Sequence, residues 1–225
     1  MNRFIITIDG PAASGKSTAA KQTAKQLNCI FLDTGAMYRA VTLLAIKQQI
    51  TLTDPKALLK LFDCNQFLFT PDKNQMTVSV NGQDITAEIR TPQVTENIHY
   101  IAGSAKLRSR LVQLQRDFAL RFDRIVTEGR DQGTVVFPDA NLKFFLIADT
   151  LSRAKRRQLE LQSQGIEQNL QELKRAVEAR DLSDQQRSTG PLKKAQDAIE
   201  IDTTNMTIEQ VVNKIIICAS KESVL

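Results

Sequence analysis

Histidine occurs once in this chain, at His99, and tryptophan does not occur. A Ser-His-Asp triad or a histidine-built metal centre would rest on that single residue, so neither is expected. The three cysteines, Cys29, Cys64 and Cys218, stand far apart and form no C-x-x-C pair. This excludes a disulfide framework or a zinc site and points to a reducing compartment. Aromatic residues make up only 5% of the chain, which argues against a base-stacking nucleic-acid surface. No apolar stretch reaches bilayer length, and the short apolar start before Asp9 carries no cleavage signal. A soluble, cytoplasmic protein with no membrane contact is expected.

What is present supports one good core. The 225 residues are 42% hydrophobic, enough for one domain with a small insertion and too few for two full domains. The formal charge of +5 favours anionic partners, and nucleotides and nucleic acid both satisfy it. Residues 10–17 decide more. Gly10-Pro11-Ala12-Ala13-Ser14-Gly15-Lys16-Ser17 is an unbroken G-x-x-x-x-G-K-[ST] loop. The apolar run Phe4-Ile5-Ile6-Thr7-Ile8 precedes it as a buried strand. Lys16 to Leu27 follows, with Ala20, Ala24 and Leu27 at helical spacing. Gly10 and Gly15 reach backbone angles closed to other residues, so successive amides can turn inward around an anion. The helix opening at Gly15 adds its free N–H groups and positive dipole end. Lys16 is expected to reach the β- and γ-phosphates of ATP, and the Ser17 hydroxyl to ligate Mg²⁺. With Thr18, the segment forms the expected ATP site.

Further strands follow at α/β spacing: Cys29 to Leu32, Arg124 to Thr127, Leu142 to Ala148 and Ala198 to Ile201. Each ends in polar residues, and helical patterns separate them. That alternation predicts a mostly parallel sheet with helices on both faces and a ligand beyond the strands' carboxyl ends. Met37, Val41, Leu44 and Ala45 share a helix face. Asp149-Thr150 can cap a helix running to Gln162, and Thr207-x-x-Gln210 has capping-box spacing. Gln66 to Ile89 breaks the pattern: Met76, Val78 and Val80 alternate, then Asn81-Gly82 marks a hairpin. It reads as a β-rich insertion or a decorative surface hairpin. Gln164 to Lys194 is polar, with too few apolar residues for a core element. It reads as a mobile, solvated cover over something anionic.

Three more stretches carry chemistry. They are Asp33-Thr34-Gly35-Ala36-Met37-Tyr38-Arg39, Glu128-Gly129-Arg130-Asp131-Gln132-Gly133-Thr134-Val135-Val136-Phe137-Pro138, and Arg180-Asp181-Leu182-Ser183-Asp184-Gln185-Gln186-Arg187. Read with the loop at Gly10, they resemble the bacterial cytidylate kinases, a branch of the P-loop nucleoside monophosphate kinases. The resemblance runs over nearly the whole chain. The loop alone marks only the superfamily, whereas the G-R-D-Q-G-T-V-V-F-P stretch is far more specific.

The resemblance implies an α/β P-loop kinase with a five-stranded parallel sheet in a single domain over residues 1–225. It implies a β-rich acceptor-binding insertion at about 63–93 and a mobile lid at about 152–194. The implied reaction moves the γ-phosphoryl group of ATP to CMP or dCMP with Mg²⁺, in a monomer with no nucleic-acid partner. Thr34, Arg39, Arg130 and Arg187 would meet the acceptor phosphate, Arg180 and Asp184 the ribose, and Arg108 and Asp131 the cytosine. Tyr38 would line the same pocket. His99 stands where the family commonly has a small hydroxyl residue near the base, and could bond the base or only fill space. Ser183 and Gly190 replace basic or small apolar residues, which lowers the charge of the lid.

The residues also argue for themselves. Two polyanions must approach each other, so the site needs fixed cations, and the planar fork of arginine suits phosphate. Arg39, Arg130 and Arg187 are candidates for that cage. Each has a plainer alternative: Arg39, Arg180 and Arg187 as solvated helix charges, and Arg130-Asp131 as a local ion pair. Arg153, Arg156 and Arg157 share one broad helix face, with Lys16, Arg156 and Arg157 expected to neutralise the migrating group alongside Arg130 and Arg187. Asp33 either orders waters on Mg²⁺ or caps the helix beginning at Gly35. A phosphate nucleophile is already anionic, so the scarcity of histidine fits the chemistry. The competing readings are a kinase for UMP or AMP, a basic nucleic-acid-binding protein, and a nucleotide switch without transfer.

Overall fold

The structure, a computed structural model, describes residues 3–72, 76–163 and 165–221. Strand β1 (Phe4–Asp9) and helix α1 (Lys16–Gln26) bracket the glycine loop. Strand β2 (Ile30–Asp33) runs straight into α2 (Thr34–Lys47). Next come α3 (Pro55–Asp63), then β3 (Phe67–Pro71), β4 (Met76–Val80) and β5 (Gln83–Asp84). A 3₁₀ turn at Glu88–Arg90 leads to α4 (Pro92–Gly103) and α5 (Ala105–Ala119). Strand β6 (Arg124–Gly129) enters a π-helical turn at Gln132–Val136 before β7 (Leu142–Ile147). Helices α6 (Thr150–Gln162) and α7 (Leu170–Gln185), strand β8 (Ile199–Asp202) and α8 (Ile208–Lys221) complete the order.

The main sheet is five-stranded and parallel, in the order β2-β6-β1-β7-β8. Side chains alternate between its faces, so each buried strand feeds two cores. On one face, Leu32 and Ile125 pack with Met37 and Val41 of α2 and with Leu107 and Leu111 of α5. On the other, Ile6, Ile8 and Phe144 meet Ala20 and Ala24 of α1 and Val212 and Ile215 of α8. The small alanines of α1 let that helix lie close to the sheet, directly behind the glycine loop. All five strands point their carboxyl ends the same way, and the polar residues that end them gather at one edge.

The predicted caps form. Asp149 accepts from the Ser152 amide at 2.8 Å to open α6. Thr207 and Gln210 exchange bonds of 2.9 and 3.3 Å before α8. Asn81-Gly82 turns the β4–β5 hairpin, with both residues at positive φ and Val80 opposite Gln83.

One alternative falls and one expectation changes. The β-rich stretch, whose residues 73–75 lie outside the described ones, is not decoration. Met76, Val78 and Val80 point inward and share a core with α2. The polar stretch that begins at Gln164, itself outside the described residues, does contribute a core element. It holds the 16-residue helix α7, packed on α6 around Ala154, Leu161 and Leu173, with Ile166 and Leu170 at the margin. A two-helix hairpin needs only a narrow apolar stripe, and the charged residues around that stripe hide it. Among the described residues, no helix is long and apolar enough to cross a membrane.

The hairpin's private core predicts local weakness. Leu173→Ala should cost about 2 kcal/mol, the low end for a buried leucine, because the site is small and can collapse. Amide exchange across Leu170–Gln185 should accelerate by roughly 30-fold, while exchange in β1 and β6 stays unchanged. Uniform acceleration through the sheet would mean that the hairpin is not an independent unit.

Candidate functional site

The phosphate loop takes the shape its glycines permit. Gly15 sits at φ 87 as the residue before α1, a conformation that L side chains resist. Ala13 adopts φ 57, so the loop holds a strained position that its glycines did not announce. Lys16 is buried, and its Nζ donates to the Pro11 carbonyl at 3.0 Å. Burial lowers its pKa to about 7; Arg130 adds to the effect and Glu128 opposes it.

Ser17 Oγ donates to Glu128 Oε1 at 3.0 Å. Glu128 is buried at the end of β6, and its main-chain carbonyl accepts from Thr34 Oγ1 at 2.7 Å. The hydroxyl of the loop and a carboxylate therefore share one spot, which suits a hard cation with oxygen ligands. Glu128 lies inside the quoted E-G-R-D stretch but received no role from sequence; the signal was its place at a strand's carboxyl end. Asp33 is the helix cap. Its Oδ1 accepts from the Ala36 amide at 2.9 Å, and its Oδ2 pairs with Arg90 at 2.9 Å.

Next to the loop lies the basic cluster. Arg130 does not pair with its neighbour Asp131. Its Nε donates to Asp184 at 2.6 Å, and Arg187 also pairs with Asp184. Burial alone would raise the Asp184 carboxyl, but Arg130 and Arg187 outweigh it and hold it below the usual carboxylate range. Among the described residues Arg180 forms no ion pair; burial, with Arg130 close by, lowers it to about 10. Arg39 donates to Thr95 Oγ1 at 2.7 Å, and burial lowers it too.

Behind the cluster, Arg108 and Asp131 form a buried ion pair. The Arg108 guanidinium lies over the Tyr38 ring, 5.7 Å from its centre. Burial pushes the Tyr38 hydroxyl up to about 12, so it stays a neutral donor. Gly190, at φ 59, presses its backbone against this pair. A Cβ there would collide with both the guanidinium and the carboxylate. The departure seen at Gly190 is therefore a close approach to the pair rather than a mere loss of charge.

The helix-face arginines divide. Arg153 is buried and bonds Asp181 and the Ala12 carbonyl. Arg156 donates to Thr203 Oγ1 at 3.0 Å and to the Thr203 carbonyl. Arg157 pairs with Glu160 at 2.8 Å and stays within electrostatic range of Arg39. Arg156 and Arg157 line a cavity of about 320 Å³ with Ala13, Gly15, Met206 and Ile208. Sequence reasoning missed this half-apolar hollow beside the loop, because Met206 and Ile208 flank the start of α8 and show no motif. His99 is not drawn into the Arg108–Asp131 pocket. It is exposed; its Nδ1 lies 2.7 Å from the Glu96 carbonyl, and its ring lies against Tyr100.

The lowered Lys16 pKa makes a signed prediction. Burial therefore favours the neutral amine of Lys16 in the free protein. A polyphosphate favours the charged form, so MgATP binding near neutral pH should take up protons. Affinity should then weaken as pH rises above 7. Calorimetry in buffers of different ionisation enthalpy reads the uptake directly, and proton release would contradict the placement of Lys16 at the phosphates.

The model of the family described as cytidylate kinase matches residues 6–221. The protein named cytidylate kinase of Lactobacillus johnsonii is 48% identical over 210 residues, which cover 93% of this chain and 91% of that one. The protein of that name from Bacillus thuringiensis is 43% identical over 213 residues, covering 95% and 94%. Among solved structures, TT1252 from Thermus thermophilus superimposes with a TM-score of 0.50 at 14% identity, over 99% of this chain and 98% of that one. That last likeness concerns fold alone. With its phosphate loop, its arginine cluster and a match over almost its whole length, the chain belongs to the cytidylate kinase family.

Proposed function

We propose that this protein transfers the γ-phosphoryl group of ATP to CMP or dCMP, giving ADP and CDP or dCDP. The observation that carries the reading is the buried Arg108–Asp131 pair beside Tyr38, one step from an arginine cluster that faces the phosphate loop. Cytosine offers an amino donor beside ring acceptors. A carboxylate accepts from the amino group and a guanidinium donates to the acceptors. Uracil reverses part of that pattern, which disfavours UMP. Adenine also sets an amino donor beside a ring acceptor but lacks cytosine's carbonyl oxygen, so AMP is separated by the acceptor series below.

The chemistry asks little of a base. An oxygen of the acceptor phosphate forms a bond to the γ-phosphorus while the bond to the β–γ bridging oxygen breaks, and the electron pair leaves with ADP. Arg130, Arg187 and Arg39 hold the acceptor phosphate, and Arg180 and Asp184 take the ribose. Lys16 and the amides of residues 13–18 hold the donor phosphates, and Arg157 of α6 lies within electrostatic range of Arg39. Arg156 stands at the wall of the hollow beside the loop, which suits the donor's nucleoside. Mg²⁺ fits the hydroxyl–carboxylate pair: Ser17 and Glu128 would hold it, and when bound it offsets charge on the donor phosphates. Asp33 stays with its helix cap. Catalysis here is positioning and charge stabilisation in a site that excludes water. The small β3–β5 sheet, within residues 63–93, forms the acceptor-side insertion, and the α6–α7 hairpin is the core of the lid at about 152–194. Three unpaired cysteines suit the cytoplasm.

ADP production from MgATP with CMP, dCMP, UMP, AMP and GMP in parallel, with a blank lacking acceptor, tests the reading. CMP and dCMP should exceed UMP in kcat/KM by at least ~10-fold, and the blank should be near zero. Equal turnover with UMP would overturn the assignment of Arg108 and Asp131 to the base. Asp131→Asn should lower kcat/KM for CMP by about 10–100-fold and narrow the gap to UMP. Glu128→Gln should raise the Mg²⁺ concentration needed for half-maximal rate by about tenfold or more, and an unchanged requirement would remove Glu128 from the metal site.

A further inference from the structure

Asp181 makes a contact that none of the roles above uses. Its Oδ1 accepts the Ala12 amide of the phosphate loop at 3.2 Å. Its other oxygen pairs with Arg153, and the same guanidinium nitrogen donates to the Ala12 carbonyl at 3.1 Å. Arg153 Nε is bound in turn to the Ala148 carbonyl at 3.0 Å. The pair is desolvated, with side chains 6% and 13% exposed. Both main-chain groups of one loop residue are thus gripped by an ion pair joining α6 to α7.

One turn further along α7, Asp184 holds Arg130 and Arg187. Residues three apart on a helix share a face. The inward face of α7 therefore reaches the donor loop with one carboxylate and the acceptor cluster with the next. A pair serving only local stability would have no need to bind the loop's backbone. We propose that Asp181 is a positioning residue that latches the α6–α7 hairpin to the phosphate loop. It keeps Arg180, Arg187 and Arg130 in register with the donor phosphates. The proposal rests on the reading of residues 10–18 as the donor site and of the arginine cluster as the acceptor site.

The test uses the full chain as wild type, Asp181→Ala, Asp181→Asn and Leu173→Ala. The last loosens the hairpin without touching the loop. Asp181→Ala should lower kcat by at least ~10-fold, since small misplacements of reacting groups are costly. KM for CMP should stay within about twofold, because Asp184 still organises the acceptor cluster. Leu173→Ala should keep kcat within about threefold of wild type. Unchanged kcat in Asp181→Ala would overturn the latch. So would an equal loss of kcat in Asp181→Ala and Leu173→Ala, which would reduce the contact to general hairpin stability. If the alanine variant fails to fold, the isosteric Asp181→Asn decides: a kcat loss of ~3-fold or more at unchanged KM supports the latch, and wild-type kcat removes it. Exchange of the Ala12 amide is a readout free of activity. It should lose its protection in Asp181→Ala and accelerate by no more than the α7 amides do, roughly 30-fold, in Leu173→Ala, and equal acceleration in the two would overturn the latch. A wild type inactive on CMP would fail the proposed function alone, and the exchange data would still decide the latch.

Discussion

Desolvated positive charge is the constraint on which this structure turns. Lys16, Arg39, Arg108, Arg130, Arg180 and Arg187 are drawn into one cleft where burial depresses the basicity of most of them. Cations in such surroundings are costly, and opposite charge close by offsets part of that cost. Three internal carboxylates supply part of it: Asp184 for Arg130 and Arg187, Asp131 for Arg108, and Glu128 for Lys16. The excess remains positive, and two phosphate-bearing substrates are the natural complement. The carboxylates thus act as frames, holding the guanidinium forks in place before an anion arrives.

The fold exists to bring these charges to one edge. A parallel sheet ends all its strands on the same side, so Asp9, Asp33 and Glu128 come together although they are far apart in sequence. Asp9 uses both carboxylate oxygens on the amides of Gln132 and Gly133, at 2.9 and 2.8 Å. That fixes the π-helical turn after β6 and so aims Arg130 and Asp131 in opposite directions. Burial raises Asp9 to about 7, as expected of a group enclosed to serve as a strut. From there α7 closes the arrangement, because one of its faces carries Asp181 to the phosphate loop and Asp184 to the arginine cluster.

Much of this was legible in the chain. The strand, glycine loop and helix at residues 4–27 follow from apolar runs and glycine placement. The caps at Asp149 and Thr207 follow from local chemistry, and the Asn81-Gly82 turn from its backbone angles. What could not be read was partnership. Arg130 and Asp131 are adjacent, yet each pairs with a distant residue, Asp184 and Arg108. Arg153, Arg156 and Arg157 share a broad face, yet the small rotations between them send one to a loop carbonyl, one to Thr203 and one to Glu160. Sequence spacing fixes neither the tilt of a helix nor which charge its side chains meet. Helix α7 stayed hidden for a related reason: Leu161, Leu173 and Ala154 suffice as a core only once two helices face each other.

The central claim is that the acceptor's phosphate, more than its base, completes this charge cluster. Calorimetric affinities of CMP and of cytidine for the same protein test it directly. Two or three charge-assisted bonds to Arg39, Arg130 and Arg187 should make CMP bind roughly 10³-fold more tightly than cytidine, with the advantage shrinking as salt is added. Cytidine binding within tenfold of CMP would contradict the account, because the arginine cluster would then have some other purpose.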